Sequence, residues 1–386
     1  MLRSLFSGIS GLRSHQTMLD VTGNNIANVN TVGFKSSAVQ FQDSLSQLVK
    51  NSTLPQADAG GSNPAQVGLG VQLAGIRTNF GSGAPQPTGV PTDLMIAGDG
   101  FFMVRNGGET LYTRNGSFSF DASGKLTTID GSLVQGWTAQ NGQIVGGQAI
   151  GDITLPVGEI VPAVATTSAS AKGNLPAETA VGEELIRDIE VYAADGSSTS
   201  LRLTFTRTAG GWDVTDGTAT TALTFANGAQ TGAPTSLVSG GITVDLSTLT
   251  GFSDVSSLAL TGQNGRPAGT LTSYALTEDG SLMGAFSNGE SKVLARLSLG
   301  GFTNPGGLEK VGSSQYRPTA NSGAAAVGQA GQDGIGAIVS GALEMSNVDL
   351  SQEFTNLIVA QRGFQANARI ITTSDEVLQE LTNLKR

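Results

Sequence analysis

The stretch LSQEFTNLIVAQRGFQANARIITTSDEVL, residues 350–378, sets Leu350, Leu357, Phe364, Ile371 and Leu378 seven residues apart. Phe354, Gln361, Ala368 and Asp375 follow the first four of these by four residues. That spacing is the a/d seam of a helix lying along another helix. Val377, Leu381 and Leu384 extend the apolar face. Ser346 or Asn347 is the expected N-cap, with Asp349 in the first turn complementing the helix dipole. At the opposite extremity Leu2, Leu5, Ile9, Leu12, Gln16, Leu19, Gly23 and Ile26 alternate three and four residues apart, a similar seam interrupted at Gln16 and Gly23.

Between the two seams the composition changes. All 12 Pro fall in 51–345, and of the 54 Gly only Gly8, Gly11, Gly23, Gly33 and Gly363 lie outside it. Helix breakers so distributed predict a helix, a β-rich body and a second helix. Phe101–Arg105, Leu111–Arg114 and Ser117–Phe120 read as short strands, the last two joined by an Asn115-Gly116 hairpin turn. A meander spans Leu185 to Val214 with turns at Asp195-Gly196 and Gly210-Gly211, and another covers 271–299 with turns at Asp279-Gly280 and Asn288-Gly289. The Thr-, Ser-, Ala- and Gly-rich 215–270 suggests an exposed β region with a modest core. Residues 31–68, punctuated by Gly60-Gly61 and Asn63-Pro64, read as a long irregular connector.

Composition excludes several functions. Lys and Arg number 21 against 31 Asp and Glu, a net charge of −10, so nucleic acid is not an expected partner. With no Cys and the single His15 there is no material for thiolate metal sites, disulfides or a His-dependent triad. Gly124-Lys125 is followed by Leu126, which fails the phosphate-loop pattern, and no calcium loop is present. Glu183-Glu184 and Asp375-Glu376 read as solvated charge rather than a general acid and base. Catalytic residues, metals and cofactors are therefore not expected. No apolar run reaches the ~18 residues of a membrane span, and the start lacks the pattern of a cleaved secretory signal.

The terminal helices are not expected to stand alone, because six apolar seam side chains in 2–26 return less than ordering that backbone costs. Two kinds of partner remain open. The helices pair with each other or cap the body within one chain, or they pack against copies of the chain and stay disordered until assembly.

Leu5-Phe6-Ser7-Gly8-Ile9-Ser10-Gly11-Leu12, and Thr22-Gly23-Asn24-Asn25-Ile26-Ala27-Asn28-Val29-Asn30-Thr31-Val32-Gly33-Phe34-Lys35, resemble the N-terminal signature of the bacterial flagellar rod and hook axial proteins. Gln361-Arg362-Gly363-Phe364-Gln365-Ala366-Asn367-Ala368-Arg369-Ile370-Ile371 resembles their closing helix. Gly98-Asp99-Gly100-Phe101-Phe102, Tyr112-Thr113-Arg114-Asn115-Gly116-Ser117-Phe118, Gly136-Trp137, Phe286-Ser287-Asn288-Gly289 and Phe302-Thr303-Asn304-Pro305 are similar to the family's first β domain. About 151–270 carries no signature.

The resemblance implies a mainly β fold with α-helical termini and nested domains. Residues 1–30 and 346–386 would form a helical inner core, 31–68 a connector, 69–150 and 271–345 a first β domain, and 151–270 an inserted outer β domain. It implies no enzyme but a self-assembling structural subunit. The length and the 151–270 block favour the hook, the flexible tubular joint that passes torque to the filament, over the shorter distal rod. The implied assembly residues are Leu5, Ile9, Leu12, Leu19, Asn25, Ile26, Asn28, Gly33 and Phe34, with Leu350, Phe354, Leu357, Phe364, Ala368, Ile371 and Leu378. Implied partners are copies of itself, rod and hook-filament junction proteins, the hook cap and the flagellar type III export apparatus, the last consistent with the lack of a cleaved signal. The rival outside the family is a monomeric β-rich surface adhesin or polysaccharide-acting enzyme.

Overall fold

The computed structural model describes residues 2–384 apart from 53, 55–59, 141, 146–147, 157, 159 and 233–234. The chain divides into two compact units. The first holds 1–155, 275–283 and 293–386, and the second holds 156–274 and 284–292.

In the first unit the termini form helices α1 (Leu2–Ala27) and α2 (Leu350–Leu384). The cap of α2 is Asp349 itself, whose Oδ1 accepts the Ser351 and Gln352 N–H groups at 2.8 and 3.2 Å. A carboxylate one residue before the helix reaches the free N–H groups directly, so neither Ser346 nor Asn347 caps it. Asn347 instead ties the chain together: its Nδ2 donates to the Asn79 and Gly81 carbonyls, and its Oδ1 accepts from Ser36 N.

After α1 the segment expected to be irregular forms an antiparallel ribbon. Ser37–Asp43 pairs with Val71–Thr78, and Ser46–Lys50 with Ala65–Gly68. Val39, Phe41, Leu48, Val67, Leu73 and Ile76 supply the strand-forming side chains, and the breakers Gly60-Gly61 and Asn63-Pro64 fall outside the paired runs. The strand-forming residues on both sides of the ribbon outweigh the breakers between them.

The β body of this unit is built around Phe101–Asn106, which pairs with Glu109–Thr113, Leu133–Thr138 and Leu299–Gly301. Its hairpin turns at Gly107-Gly108, both with positive φ (58° and 93°). The expected Asn115-Gly116 hairpin is not formed: Phe118–Phe120 pairs with Leu126–Thr128, while Glu109–Thr113 pairs with Gln315–Arg317. Neither Asn115 nor Gly116 takes the left-handed φ a type I′ turn requires. Gly116 serves another need, since a Cβ there would sit 1.7 Å from the Leu94 carbonyl oxygen. The core gathers Phe101, Met103, Tyr112 and Tyr316, with Phe80 and Phe302 against them edge to face.

The second unit contains two five-stranded sheets. One is an antiparallel meander of Glu184–Tyr192, Ser198–Thr208, Gly211–Thr215, Thr220–Ala226 and Ala229–Gln230. Leu203 and Phe205 point inward where Arg202 and Thr204 do not, the alternation expected from the sequence. The other centres on Ser168–Asn174, which runs parallel to Ile242–Asp245 and Leu249–Thr250 and antiparallel to Ala259–Gln263. Trp212, Phe205, Leu203, Val214, Leu223 and Val244 fill the space enclosed by the strands.

Candidate assembly surface

Helices α1 and α2 lie antiparallel against each other in a single continuous register. Asn25 Nδ2 donates to Glu353 Oε1 at 3.0 Å. Ten residues back along α1, His15 lies over Gly363, and four further back Gly11 faces Asn367. Gly8 then meets Ile370 and Ile371. Every step back along one helix is matched by a step forward along the other.

The residues at this contact are small or polar. On α1 the buried positions are Gly8, Gly11, Ser14, Thr22 and Asn25; on α2 they are Ala360 and Ser374. A Cβ on Gly363 would lie 2.4 Å from the His15 ring and one on Gly11 2.7 Å from Asn367 Oδ1. The backbones therefore approach where side chains are absent. Of the expected seam residues, Ile371 meets Gly8 in this contact, and Leu5, Ile9, Leu12, Leu19 and Ile26 on α1 and Leu357, Phe364 and Ala368 on α2 are, like it, half-buried. The side chain of Leu2 lies outside the described residues. Leu350, Phe354 and Leu378 are exposed, together with Ile358, Val359, Ile370, Val377, Leu381 and Leu384. Phe354 keeps 51%, Ile358 55% and Val359 54% of their surface in solvent.

The remaining expected assembly residues build the neck below α1. Asn25 is fully buried; its Nδ2 also donates to the Ser37 carbonyl at 2.8 Å and its Oδ1 accepts Ser37 N at 3.0 Å. Asn28 bonds back to the Asn24 carbonyl and accepts from Thr31 Oγ1, closing the helix end. Gly33 donates its N–H to the Glu344 carbonyl with φ at +67°, and a Cβ there would stand 2.6 Å from Asn115 N. Phe34 is half-buried, with the Lys310 ammonium 5.3 Å from its ring centre.

Beside Gly33 lies a buried charge cluster that sequence reasoning did not pick out as a site. Lys35 and Glu344 are fully buried; Lys35 Nζ donates to Glu344 Oε1 at 2.6 Å and to the Gly81 carbonyl at 2.8 Å. The Gly83 N–H donates to that same carboxylate oxygen. Arg114, also buried, places Nη1 3.6 Å from Glu344 Oε2. Burial pushes both cations below their ordinary values, and the Glu344 carboxylate opposes that shift in each. In a chain with only 13% charged residues, single cations at Lys35 and Arg114 inside the family motifs were the available signal. Among the described residues no group of three His, Asp or Glu is placed to hold a metal ion. Among the described residues no helix is long and apolar enough to cross a membrane.

An antiparallel pair of terminal helices, a ribbon and β units inserted between them define a mainly β protein whose two ends are joined at one neck. Three family models match the chain: flagella basal body rod protein over 5–35, the flagellar hook protein FlgE/F/G D1 domain over 95–176, and the flagellar basal body rod FlgEFG protein C-terminal region over 339–384. The flagellar hook protein FlgE of Borreliella burgdorferi is 38% identical over 442 residues, covering all of both chains. The flagellar basal-body rod protein FlgG of Bacillus subtilis is 36% identical over 387 residues, again covering all of both. The solved flagellar hook protein FlgE2 of Helicobacter pylori is 15% identical with a TM-score of 0.48, covering 66% of this chain and 98% of that one. The chain belongs to the flagellar hook and rod protein family.

Proposed function

We propose that the chain is a structural subunit of the bacterial flagellar hook that polymerises through the outward faces of α1 and α2. The supporting observation is the inversion of the helix pair. A two-helix hairpin complete in itself buries its large apolar side chains between the helices. Here the small residues face inward, and Phe354, Ile358 and Val359 face water. Apolar surface displayed in a row along a helix is an interaction surface. A contact of this kind, made head to tail without closing, produces an open helical filament.

The helices then form the inner wall of the tube. Leu350, Phe354 and Leu378 join Ile358 and Val359 in the contact, while Asn25, Asn28 and Gly33 hold the neck that orients the helices. A body poor in charged residues leaves outer contacts weak and replaceable, which suits a joint that bends while it transmits torque. Export through the flagellar type III channel, and contact with rod, junction and cap proteins, belong to the same reading. Negative-stain electron microscopy of the concentrated full-length chain tests it. Tubes are expected; a chain that stays monodisperse at all concentrations overturns the reading.

A further inference from the structure

The sequence holds six Asn-Gly pairs, beginning at Asn106, Asn115, Asn141, Asn227, Asn264 and Asn288. In such a pair the asparagine side-chain carbon is open to attack by the next backbone nitrogen, because glycine has no Cβ to shield it. Asn141 lies outside the described residues. The fold treats the other five differently.

Four of them are held. Asn264 Oδ1 accepts the Thr167 and Ser168 N–H groups, each at 2.9 Å, and its Nδ2 donates to Thr167 Oγ1 at 2.7 Å. Asn288 Nδ2 donates to the Pro267 carbonyl and its Oδ1 accepts from Glu290 N, both at 3.1 Å, while the Gly289 N–H is spent on the Phe286 carbonyl. Asn115 is half-buried and accepts from Ser117 N at 3.0 Å, with Gly116 wedged against the Leu94 carbonyl. Asn227 is exposed but sits at a φ of +51°, and a Cβ on Gly228 would stand 2.1 Å from the Phe252 ring, so the backbone there is packed. Asn106 differs from all four. It is exposed at the end of its strand, and among the described residues neither its side-chain amide nor the Gly107 N–H has a hydrogen-bond partner. Nothing stands within 4 Å of a Cβ built on Gly107 or Gly108, so no neighbour blocks rotation of the turn.

We propose that Asn106 is a modification site at which the chain deamidates without an enzyme. The Gly107 nitrogen, giving up its proton to solvent, attacks Asn106 Cγ. The Cγ–Nδ2 bond breaks, ammonia leaves, and a cyclic imide closes. Water then opens either imide carbonyl, leaving aspartate or isoaspartate. Residue 106 faces Glu109 directly across the hairpin, and like charges so placed oppose pairing. The isoaspartyl product also inserts a main-chain carbon beside the turn that closes this hairpin.

The test is tryptic mass mapping of full-length chain held in warm, mildly alkaline buffer. Cleavage after Arg105, Arg114 and Lys125 puts Asn106 and Asn115 on separate peptides. Asn106 is expected to convert at least about fivefold faster than Asn115, Asn264 or Asn288, the factor equivalent to one hydrogen bond of about 1 kcal/mol that those three must break first. It should also lead Asn227. In the urea-unfolded chain the five should convert at similar rates, because the restraint belongs to the fold. Asn106→Gln should remove the modification from the 106–114 peptide, since glutamine closes the corresponding ring far more slowly. Equal rates in the folded chain, Asn227 converting first, or a lead for Asn106 that persists unchanged in urea overturns the proposal.

Discussion

At Glu344 a single carboxylate serves Lys35, Arg114 and the Gly83 amide in a place that water does not reach. Removing one partner of such a group leaves buried charge uncompensated, which costs about 3–5 kcal/mol. Glu344→Ala should therefore lower the stability of the first unit by that amount in urea unfolding, and a loss under about 1 kcal/mol would show that the cluster is hydrated rather than sealed. Asp152 gives a second, pH-dependent expectation. Burial alone would raise its pKa, but hydrogen bonds from Arg105, Gln135 and Lys125 outweigh burial and bring it from 3.8 down to about 2. A depressed carboxylate stabilises the fold above its unfolded value and loses that contribution as pH falls through the folded one. Thermal stability should thus decline between about pH 4 and pH 2, and Asp152→Asn should flatten that limb; an unchanged acid limb in the variant would exclude the role. Lys35 and Arg114 stood inside legible motifs, whereas Glu344 did not, because the partner that makes it matter is 309 positions away.

For the elements, the seven-residue period found both helices but placed their mutual contact beside its true position. Hydrophobic spacing marks where large apolar residues recur, and here most of those residues are half-buried or look outward. Gly8, Gly11 and Gly363 face the partner helix because close approach needs missing side chains, a signal that apolar periodicity does not register. The two faces predict opposite phenotypes. Gly363→Leu drives a side chain into His15, so the pair should separate at a cost of about 1–3 kcal/mol, read as lost helical signal in the monomer. Phe354→Asp lies in solvent and should leave monomer stability within about 0.5 kcal/mol while abolishing filaments. Normal filaments from Phe354→Asp would remove α2's outer face from the assembly. The meander at 184–215 was readable because its alternation and its turn glycines agree, and Asn115-Gly116 misled because Gly116 is required by a passing carbonyl rather than by a turn.

Over the whole molecule, ten surplus negative charges per copy oppose association. Raising ionic strength from about 0.01 to 0.15 M shortens screening from about 30 to 8 Å, so the concentration needed for polymer should fall several-fold, measured as pelletable protein. A threshold that rises with salt would mean that attraction between opposite charges, not apolar contact, holds the subunits. The neck ties the two ends of the body together. Lys35 and Glu344 touch across almost the full length of the chain, and Asn25 and Asn347 add further stitches beside them. Everything from 36 to 343 hangs from that knot as one closed bight, and enlarging a bight already tied costs only the logarithm of its length. Length added inside such a purse leaves the tie untouched. Lineages can retailor what the purse carries without untying its drawstring.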